Sequence, residues 1–148
     1  MAERETTGRC LCGAIGFTAI GDPLTVALCH CESCRRQSGS VAVPFATFRK
    51  DGVRWRGIER SQYRSTPPVL RSFCPTCGSA LAYEHDGSPG EIDLFMGAMD
   101  EPGRLSIRMQ VHYGERVAWF DTADHKPRYR TSSSTGEPPM ATQPAAVD

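Results

Sequence analysis

Short apolar runs, separated by glycine, proline and polar turn residues, fill most of the chain. Ile15 and Phe17 alternate with smaller residues, which is the period-two pattern of a strand with one buried face. No long stretch keeps the period of a helix. Many short strands at close intervals are typical of an all-β fold, so we predict a mainly β domain of short antiparallel strands. The predicted strands are Ala14–Ile20, Leu24–Leu28, Val41–Phe48, Val53–Ile58, Gln62–Ser65, Val69–Phe73, Ala80–Tyr83, Ile92–Phe95, Leu105–Val111 and Val117–Phe120.

Two parts of the chain depart from the strand pattern. Glu32–Gln37 is the best candidate for a helical turn. From Thr131 onward Ser, Thr, Pro and Ala predominate, and so few large apolar side chains cannot offset the entropy of ordering the chain. We therefore predict a single compact domain over residues 1–130 and a disordered tail over residues 131–148.

Length and charge narrow the class of protein. The 148 residues suit one domain with a core of its own, and the formal net charge of zero gives no overall attraction to nucleic acid or to a membrane surface. No apolar run is long enough to span a bilayer, and the polar segment Met1–Arg9 lacks the apolar stretch of a secretory signal. We therefore expect a cytoplasmic protein whose thiols stay reduced.

The seven cysteines are the strongest chemical signal in the sequence. An odd number cannot pair completely into disulfides within one chain. Cysteines one or two residues apart are better placed to converge on a metal ion than to pair with each other. The groups are Cys10 and Cys12, then Cys29, Cys31 and Cys34, then Cys74 and Cys77. In a reducing compartment this grouping indicates metal ligands, and zinc is the metal that it fits best.

A Cys-x-x-Cys-Gly turn at Cys74–Gly78 has the form of a zinc knuckle, in which both sulfurs face one ion. Taken alone, the same spacing could be a redox pair, but no βαβ pattern surrounds it. A second pair in the segment Cys10–Gly13 supplies two more thiolates. The two pairs together predict a structural zinc site closed by four sulfurs.

The remaining group, Cys29, Cys31 and Cys34, offers three thiolates within six residues. Three protein ligands leave one tetrahedral position open, which is the arrangement of catalytic zinc sites. The spacing also allows these cysteines to recruit a fourth thiolate or a distant histidine. Strong donation by three thiolates favours a soft exogenous ligand such as a thiol over zinc hydroxide. The group therefore favours thiol or carbon–sulfur chemistry.

A specific pattern is formed by three segments and three single residues: Gly8–Ile15, Cys29–Gly39, Arg71–Ser79, His112, Trp119 and Asp124. With this pattern the sequence resembles the family of glutathione-dependent formaldehyde-activating enzymes, which also includes centromere protein V. All seven cysteines match that family in order and spacing, over about residues 6–128.

The resemblance implies a predominantly β fold with two zinc ions per chain. By position, the structural ion would be held by Cys10, Cys12, Cys74 and Cys77, and the reactive ion by Cys29, Cys31 and Cys34. It also implies a carbon–sulfur lyase activity, the joining of glutathione to formaldehyde to give S-hydroxymethylglutathione.

Several residues near the second group are candidates for contacts with a substrate. Arg35 and Arg36 could bind the carboxylates of a glutathione-like anion, or could only compensate charge. His30 is expected to be an exposed or supporting residue rather than a ligand. For His112 we expect a hydrogen-bonded structural role, with acid, base or fourth ligand as alternatives. Trp119, together with Phe120, is expected in the core.

The leading hypothesis is a zinc-dependent enzyme that adds a small thiol, such as glutathione, to formaldehyde or a related aldehyde. The competing hypothesis is a non-catalytic binding or scaffold module that zinc stabilises.

Overall fold

Strands dominate the structure, a computed structural model that describes residues 2–141. The prediction of a mainly β fold is confirmed. One α-helix, α1 (Glu32–Ser38), occurs in the described residues, at the place where the sequence predicts a helical turn. The strands are β1 (Glu5–Arg9), β2 (Ile15–Ile20), β3 (Thr25–Cys29), β4 (Val43–Arg49), β5 (Val53–Gly57), β6 (Ser61–Thr66), β7 (Val69–Phe73), β8 (Ala80–His85), β9 (Glu91–Phe95) and β10 (Met109–Val111). Short 3₁₀ helices lie at Lys50–Gly52, Met96–Ala98, Pro102–Arg104 and Tyr113–Glu115.

The described residues form two units. The first contains the chain up to Val26 and Phe45–Ser106, and the second contains Ala27–Pro44 and the chain from Ile107 onward. In the first unit, β1, β2 and β5 form an antiparallel sheet in that order. Antiparallel pairing also joins β4 to β9, β9 to β8, β8 to β7 and β7 to β6.

Part of the core of the first unit is built around cysteine sulfur. Ile15 and Leu81 are fully buried, and they cluster with Cys10 and Cys74, which are 1% and 0% exposed. The side chain of Trp55 packs against this cluster. The cysteines therefore lie where apolar side chains exclude water from them.

The second unit is organised around a parallel pair of strands. Residues Ala27–Cys29 of β3 pair with Met109–Val111 of β10, so that Cys29 lies opposite Val111. On its other side, β10 contacts the chain near residue 128, where the Gln110 N–H donates to the Pro127 carbonyl at 2.9 Å.

A buried arginine fixes the chain that follows β10. The Arg128 side chain is 1% exposed, and its guanidinium donates to the carboxylates of Asp121 and Asp124 at 3.1 Å each. It also donates to the carbonyl oxygens of Thr122 and Lys126 at 2.9 and 2.8 Å. A charge network, rather than a strand or a helix, thus orders residues 121–128.

Two predicted strands differ from the structure. Leu105–Val111 is reduced to the three residues of β10, and Val117–Phe120 forms a turn in which the Phe120 N–H donates to the Val117 carbonyl. The prediction that Trp119 lies in the core is wrong, because this side chain is 75% exposed. Within Leu105–Val111 strand pairing is thus limited to Met109–Val111, which pairs with β3, and Val117–Phe120 pairs with no strand.

Strand β1, Glu5–Arg9, was not predicted. Its side chains are mostly polar and exposed, so the period-two signal of burial is missing. The strand forms through backbone pairing with β2 at an edge of the sheet.

The predicted boundary near residue 130 and the predicted tail lie at the end of the described residues. Residues 131–141 contain neither helix nor strand, and residues 142–148 lie outside the described part. The single domain over 1–130 and the disorder of 131–148 stay predictions. Within the described residues, no helix has the length and apolar character needed to cross a membrane.

The buried Asp93 carboxyl makes the stability of the fold depend on pH. Burial raises its pKa to about 6, although the Thr47 hydroxyl donates to it at 2.6 Å. Since this folded-state pKa exceeds the ordinary value, the contribution to stability is greatest below about pH 4 and is lost as pH rises through about 6. We expect Asp93→Asn to raise the free energy of unfolding at pH 8, by at most about 3 kcal/mol, and to raise it by about half as much at pH 5, where the folded-state carboxyl is mostly protonated. Urea unfolding at both pH values measures this difference.

A suitable control is Asp86→Asn, because Asp86 is an exposed carboxyl that pairs with Arg64 at 3.0 Å. Its effect should stay within about 0.5 kcal/mol at both pH values. An equal gain for Asp93→Asn at pH 5 and pH 8 would contradict the prediction.

Candidate metal centres

Four cysteine sulfurs converge in the first unit. The Sγ atoms of Cys10, Cys12, Cys74 and Cys77 all lie within 4.8 Å of one another. Those of Cys10 and Cys12 are 3.6 Å apart, and those of Cys12 and Cys74 are 3.8 Å apart. Four sulfurs bound at about 2.3 Å to a tetrahedral zinc ion would be about 3.8 Å from one another. The spacing of the sulfurs therefore fits a closed four-thiolate site.

Two similar turns present these sulfurs. The Gly13 N–H donates to the Cys10 carbonyl at 3.1 Å, and the Gly78 N–H donates to the Cys74 carbonyl at 2.9 Å. Both glycines have left-handed φ values, 80° and 77°, which residues with a side chain rarely adopt. Each glycine lets the chain turn back directly after its cysteine pair, so both sulfurs of a pair face the same point.

Hydrogen bonds to sulfur favour the ionised form that a metal needs. The Ser79 Oγ lies 3.1 Å from the Cys77 Sγ and also accepts the Leu11 N–H at 2.9 Å. The hydroxyl hydrogen is therefore available to Cys77, and this bond lowers the pKa of the thiol to about 5. The Ile15 N–H donates to the Cys10 Sγ at 3.3 Å. These donors are the usual partners of metal-bound thiolates.

Three more sulfurs converge in the second unit, where Cys29, Cys31 and Cys34 lie within 4.8 Å of one another. Cys29 ends β3, Cys31 caps the start of α1, and Cys34 lies in the first turn of that helix. The Cys34 N–H donates to the Cys31 Sγ at 3.2 Å. Cys29 and Cys34 are buried and Cys31 is partly exposed, so solvent reaches this cluster from the side of Cys31.

The charges of these three thiols depend on one another. Hydrogen bonds with Cys31 and Cys34 raise the pKa of Cys29 far above its usual range. Hydrogen bonds from Cys29 and Cys34 lower the pKa of Cys31 well below its usual range. Without a cation, the cluster therefore retains protons, whereas a divalent ion would allow all three sulfurs to ionise. The donor set fits a soft or borderline metal ion.

A fourth ligand is missing from the three-sulfur cluster. In residues 2–141, no further Cys, His, Asp or Glu ligand atom lies within 4.8 Å of all three sulfurs. None of the seven cysteines forms a disulfide. The cluster could thus hold a metal ion with one coordination position left for an exogenous ligand.

Comparison with known proteins identifies the family of this chain. The family model for glutathione-dependent formaldehyde-activating enzyme matches residues 5–115. This chain belongs to that family. It is 33% identical over 124 residues, 81% of this chain and 87% of the other, to a protein of Schizosaccharomyces pombe that is named an uncharacterized lyase. A crystal structure of a Rhodobacter sphaeroides protein is similar to the structure of this chain, with a TM-score of 0.54 and 27% sequence identity. The similar part covers 64% of this chain and 87% of the other.

In this member of the family, the side chain of His30 is fully buried and not exposed. In the sequence, His30 lies between two cysteines of the three-sulfur cluster. Its Nε2 lies 2.5 Å from the Gln110 Oε1, and the Gln110 Nε2 donates to the Thr122 Oγ1 at 2.7 Å. The Gln110 amide nitrogen can only donate, so the Thr122 hydroxyl accepts from it and the Gln110 Oε1 is left to accept from His30. This order assigns the proton of the first bond to the His30 Nε2. The chain of hydrogen bonds anchors the backbone between Cys29 and Cys31.

The imidazole of His112 lies at the end of β10, and it interacts electrostatically with Cys31. Its Nδ1 is 3.3 Å from the Glu115 carboxylate. Among the described residues, His112 alone combines a side chain with a left-handed φ, 50°. Such a conformation costs energy in a residue with a side chain and is often found near functional sites. The hydrogen-bonded structural role expected for His112 stays a prediction.

The two arginines singled out in the sequence differ in their surroundings. Arg36 is exposed, and its Nε donates to the Glu32 Oε1 at 2.9 Å. Arg35 is half-buried, and its Nε has no hydrogen-bond partner in the described structure. A substrate contact by either side chain stays a prediction.

Sequence reasoning missed the residues that support the two clusters. Gln110, Thr122 and Glu115 are ordinary polar residues in a segment without a motif, so no pattern could reveal them. Ser79 directly follows Gly78 of the Cys-x-x-Cys-Gly turn. This position close to Cys77 is the sequence signal that could have identified it.

The hydrogen-bond chain through Gln110 predicts a selective effect on metal affinity. We expect Gln110→Leu to weaken metal binding at the three-sulfur cluster about 10- to 100-fold, because outer hydrogen bonds orient metal ligands. The four-sulfur cluster should keep its affinity, since its ligands lie in the other unit. Titration of metal-free protein with Co²⁺, followed by thiolate-to-metal absorption, resolves the two sites.

Gln62→Leu provides a matched control, because Gln62 is exposed in the first unit. It should leave both affinities unchanged. The interpretation fails if Gln110→Leu keeps its fold by circular dichroism and also keeps the affinity of the three-sulfur cluster.

Proposed function

We propose that this protein is a zinc-dependent carbon–sulfur lyase-type enzyme that adds a small thiol, of the glutathione kind, to formaldehyde. One zinc ion would be held by the four-sulfur cluster as a structural ion. A second would be held by Cys29, Cys31 and Cys34. The observation that supports this proposal most is the three-sulfur cluster itself, which is partly open to solvent and lacks a fourth protein ligand within the described residues.

The proposed reaction balances without an oxidant or a reductant. The thiol sulfur attacks the formaldehyde carbon and forms the new carbon–sulfur bond. The carbonyl double bond becomes a single bond, and the proton lost by the thiol ends on the oxygen to give S-hydroxymethyl thioether. The reverse reaction breaks the carbon–sulfur bond, as expected of a lyase.

The residues of the chain contribute position and charge to this reaction. When bound, zinc with three thiolate ligands supplies a place for a soft ligand and stabilises ionised sulfur. The Cys34 N–H holds the Cys31 sulfur in place at 3.2 Å, and the chain through His30 holds the backbone beside it. Holding both reactants in one site lowers the entropic part of the barrier.

Exchange spectroscopy by NMR tests the proposal under equilibrium conditions. With ¹³C-formaldehyde and glutathione, the rate of exchange between free aldehyde and adduct should rise in proportion to the concentration of the zinc-loaded protein. The spontaneous rate is the baseline. In Cys31→Ser we expect the exchange rate to fall to this baseline, because the cluster loses a thiolate ligand.

Ser33→Ala provides the control, since Ser33 is exposed in the same segment and is not among the cluster cysteines. It should keep the exchange rate of the unmodified protein. An exchange rate that does not depend on the protein would contradict the enzyme and favour a non-catalytic zinc-stabilised module.

A further inference from the structure

Helix α1 presents two neighbouring arginines, of which only one has a carboxylate partner. Arg36 is neutralised by Glu32 one turn earlier, at 2.9 Å. In the described part of the chain, no carboxylate lies within salt-bridge distance of Arg35, and its buried Nε has no acceptor. A half-buried guanidinium is normally paired, because burying an unpaired charge is costly. Within residues 2–141, Arg35 is therefore a cation without a counterion.

The acidic groups near α1 are already engaged. Glu32 pairs with Arg36. The Glu115 carboxylate accepts the Glu32 N–H at 3.2 Å with one oxygen, and its other oxygen lies 3.3 Å from the His112 Nδ1. These carboxylates of the described residues are therefore not available to Arg35, and a bound molecule that carries a carboxylate would supply one.

Helix geometry places Arg35 on the side of the open sulfur. Its N–H donates to the Cys31 carbonyl at 3.0 Å, so the two residues are one turn apart on the same helix face. Side chains lean towards the N-terminus of a helix, and a long arginine therefore extends over the turn that contains Cys31. Cys31 is the partly exposed member of the three-sulfur cluster.

We propose that Arg35 selects the substrate by binding a carboxylate of the thiol, so that the protein prefers thiols that carry a carboxylate over neutral ones. This inference rests on the proposed function. A planar guanidinium binds carboxylate through two parallel hydrogen bonds, which fixes orientation as well as charge. Arg36 does not share this role, because its guanidinium is held by Glu32.

Charge compensation at the metal site is the alternative role for Arg35, and it predicts a different effect of removing the side chain. Three thiolates and one divalent cation carry a net charge of minus one, which a nearby guanidinium could compensate. In that case Arg35 would affect metal binding and all thiols equally. Carboxylate binding affects only the charged thiols, so a matched pair of thiols separates the two roles.

The test compares 3-mercaptopropionate with 3-mercapto-1-propanol, which replaces the carboxylate by a hydroxymethyl group. Exchange with formaldehyde is followed by NMR for the zinc-loaded protein and for Arg35→Gln, Arg35→Lys, Arg36→Gln and Arg108→Gln, with zinc content measured for each. Arg35→Gln should lower kcat/KM for the carboxylate thiol about 10- to 100-fold, mainly through KM. The neutral thiol should change less than about twofold.

The other variants complete the pattern. Arg35→Lys should restore part of the preference, because it keeps the charge and loses the two-point geometry. Arg36→Gln should leave the preference for the carboxylate thiol unchanged, because the Arg36 guanidinium is held by Glu32. Arg108 is exposed, and Arg108→Gln should leave both rates unchanged.

Three results would overturn the assignment while leaving the proposed function in place: an equal loss for both thiols in Arg35→Gln, a loss of zinc that accounts for the change, or an unmodified protein without preference. Absence of catalysis with either thiol would instead overturn the proposed function, and the assignment of Arg35 with it.

Discussion

Cysteine sulfurs lie close together in two clusters of this protein, and ionised sulfurs repel one another. Much of the structure holds these sulfurs in place against that repulsion. Cys12 and Cys74 are 62 residues apart in the chain, yet their sulfurs are 3.8 Å apart. Two of the four sulfurs of the first unit, those of Cys10 and Cys74, lie in its apolar core beside Ile15 and Leu81, whereas Cys12 is exposed. A divalent cation relieves the repulsion, so binding of the ion and folding of this unit are coupled.

The second cluster satisfies the same constraint in a different way. Its three sulfurs come from six consecutive residues, and their convergence depends on the bend between β3 and α1. That bend is anchored by His30, whose ring is bonded to Gln110 and shielded by Tyr113, with ring centroids 5.5 Å apart. One cluster thus has four sulfurs and is built partly into an apolar core, and the other has three sulfurs and is supported by polar groups. This contrast is what the structure adds to the count of cysteines.

The grouping and number of the cysteines favoured two clusters, because turns such as Cys74–Gly78 have local geometry that the sequence encodes, and the short apolar runs predicted the mainly β fold. The polar residues that support the second cluster and the chain after β10 could not be predicted from the sequence. Gln110 and Arg128 lie in segments without periodicity, and their partners depend on tertiary contacts. For the same reason the pattern of Val117–Phe120 predicted a strand and placed Trp119 in the core, whereas the chain turns there and exposes this ring.

Zinc content per chain, measured by elemental analysis on protein purified without chelator, is the most direct test of the account. It predicts about two zinc ions per chain, and about one in Cys31→Ala, with the β-rich circular dichroism spectrum retained. The lost ion would then belong to the three-sulfur cluster and the remaining ion to the four-sulfur cluster. A single ion that survives Cys31→Ala would contradict the account, because the three-sulfur cluster would then hold no zinc.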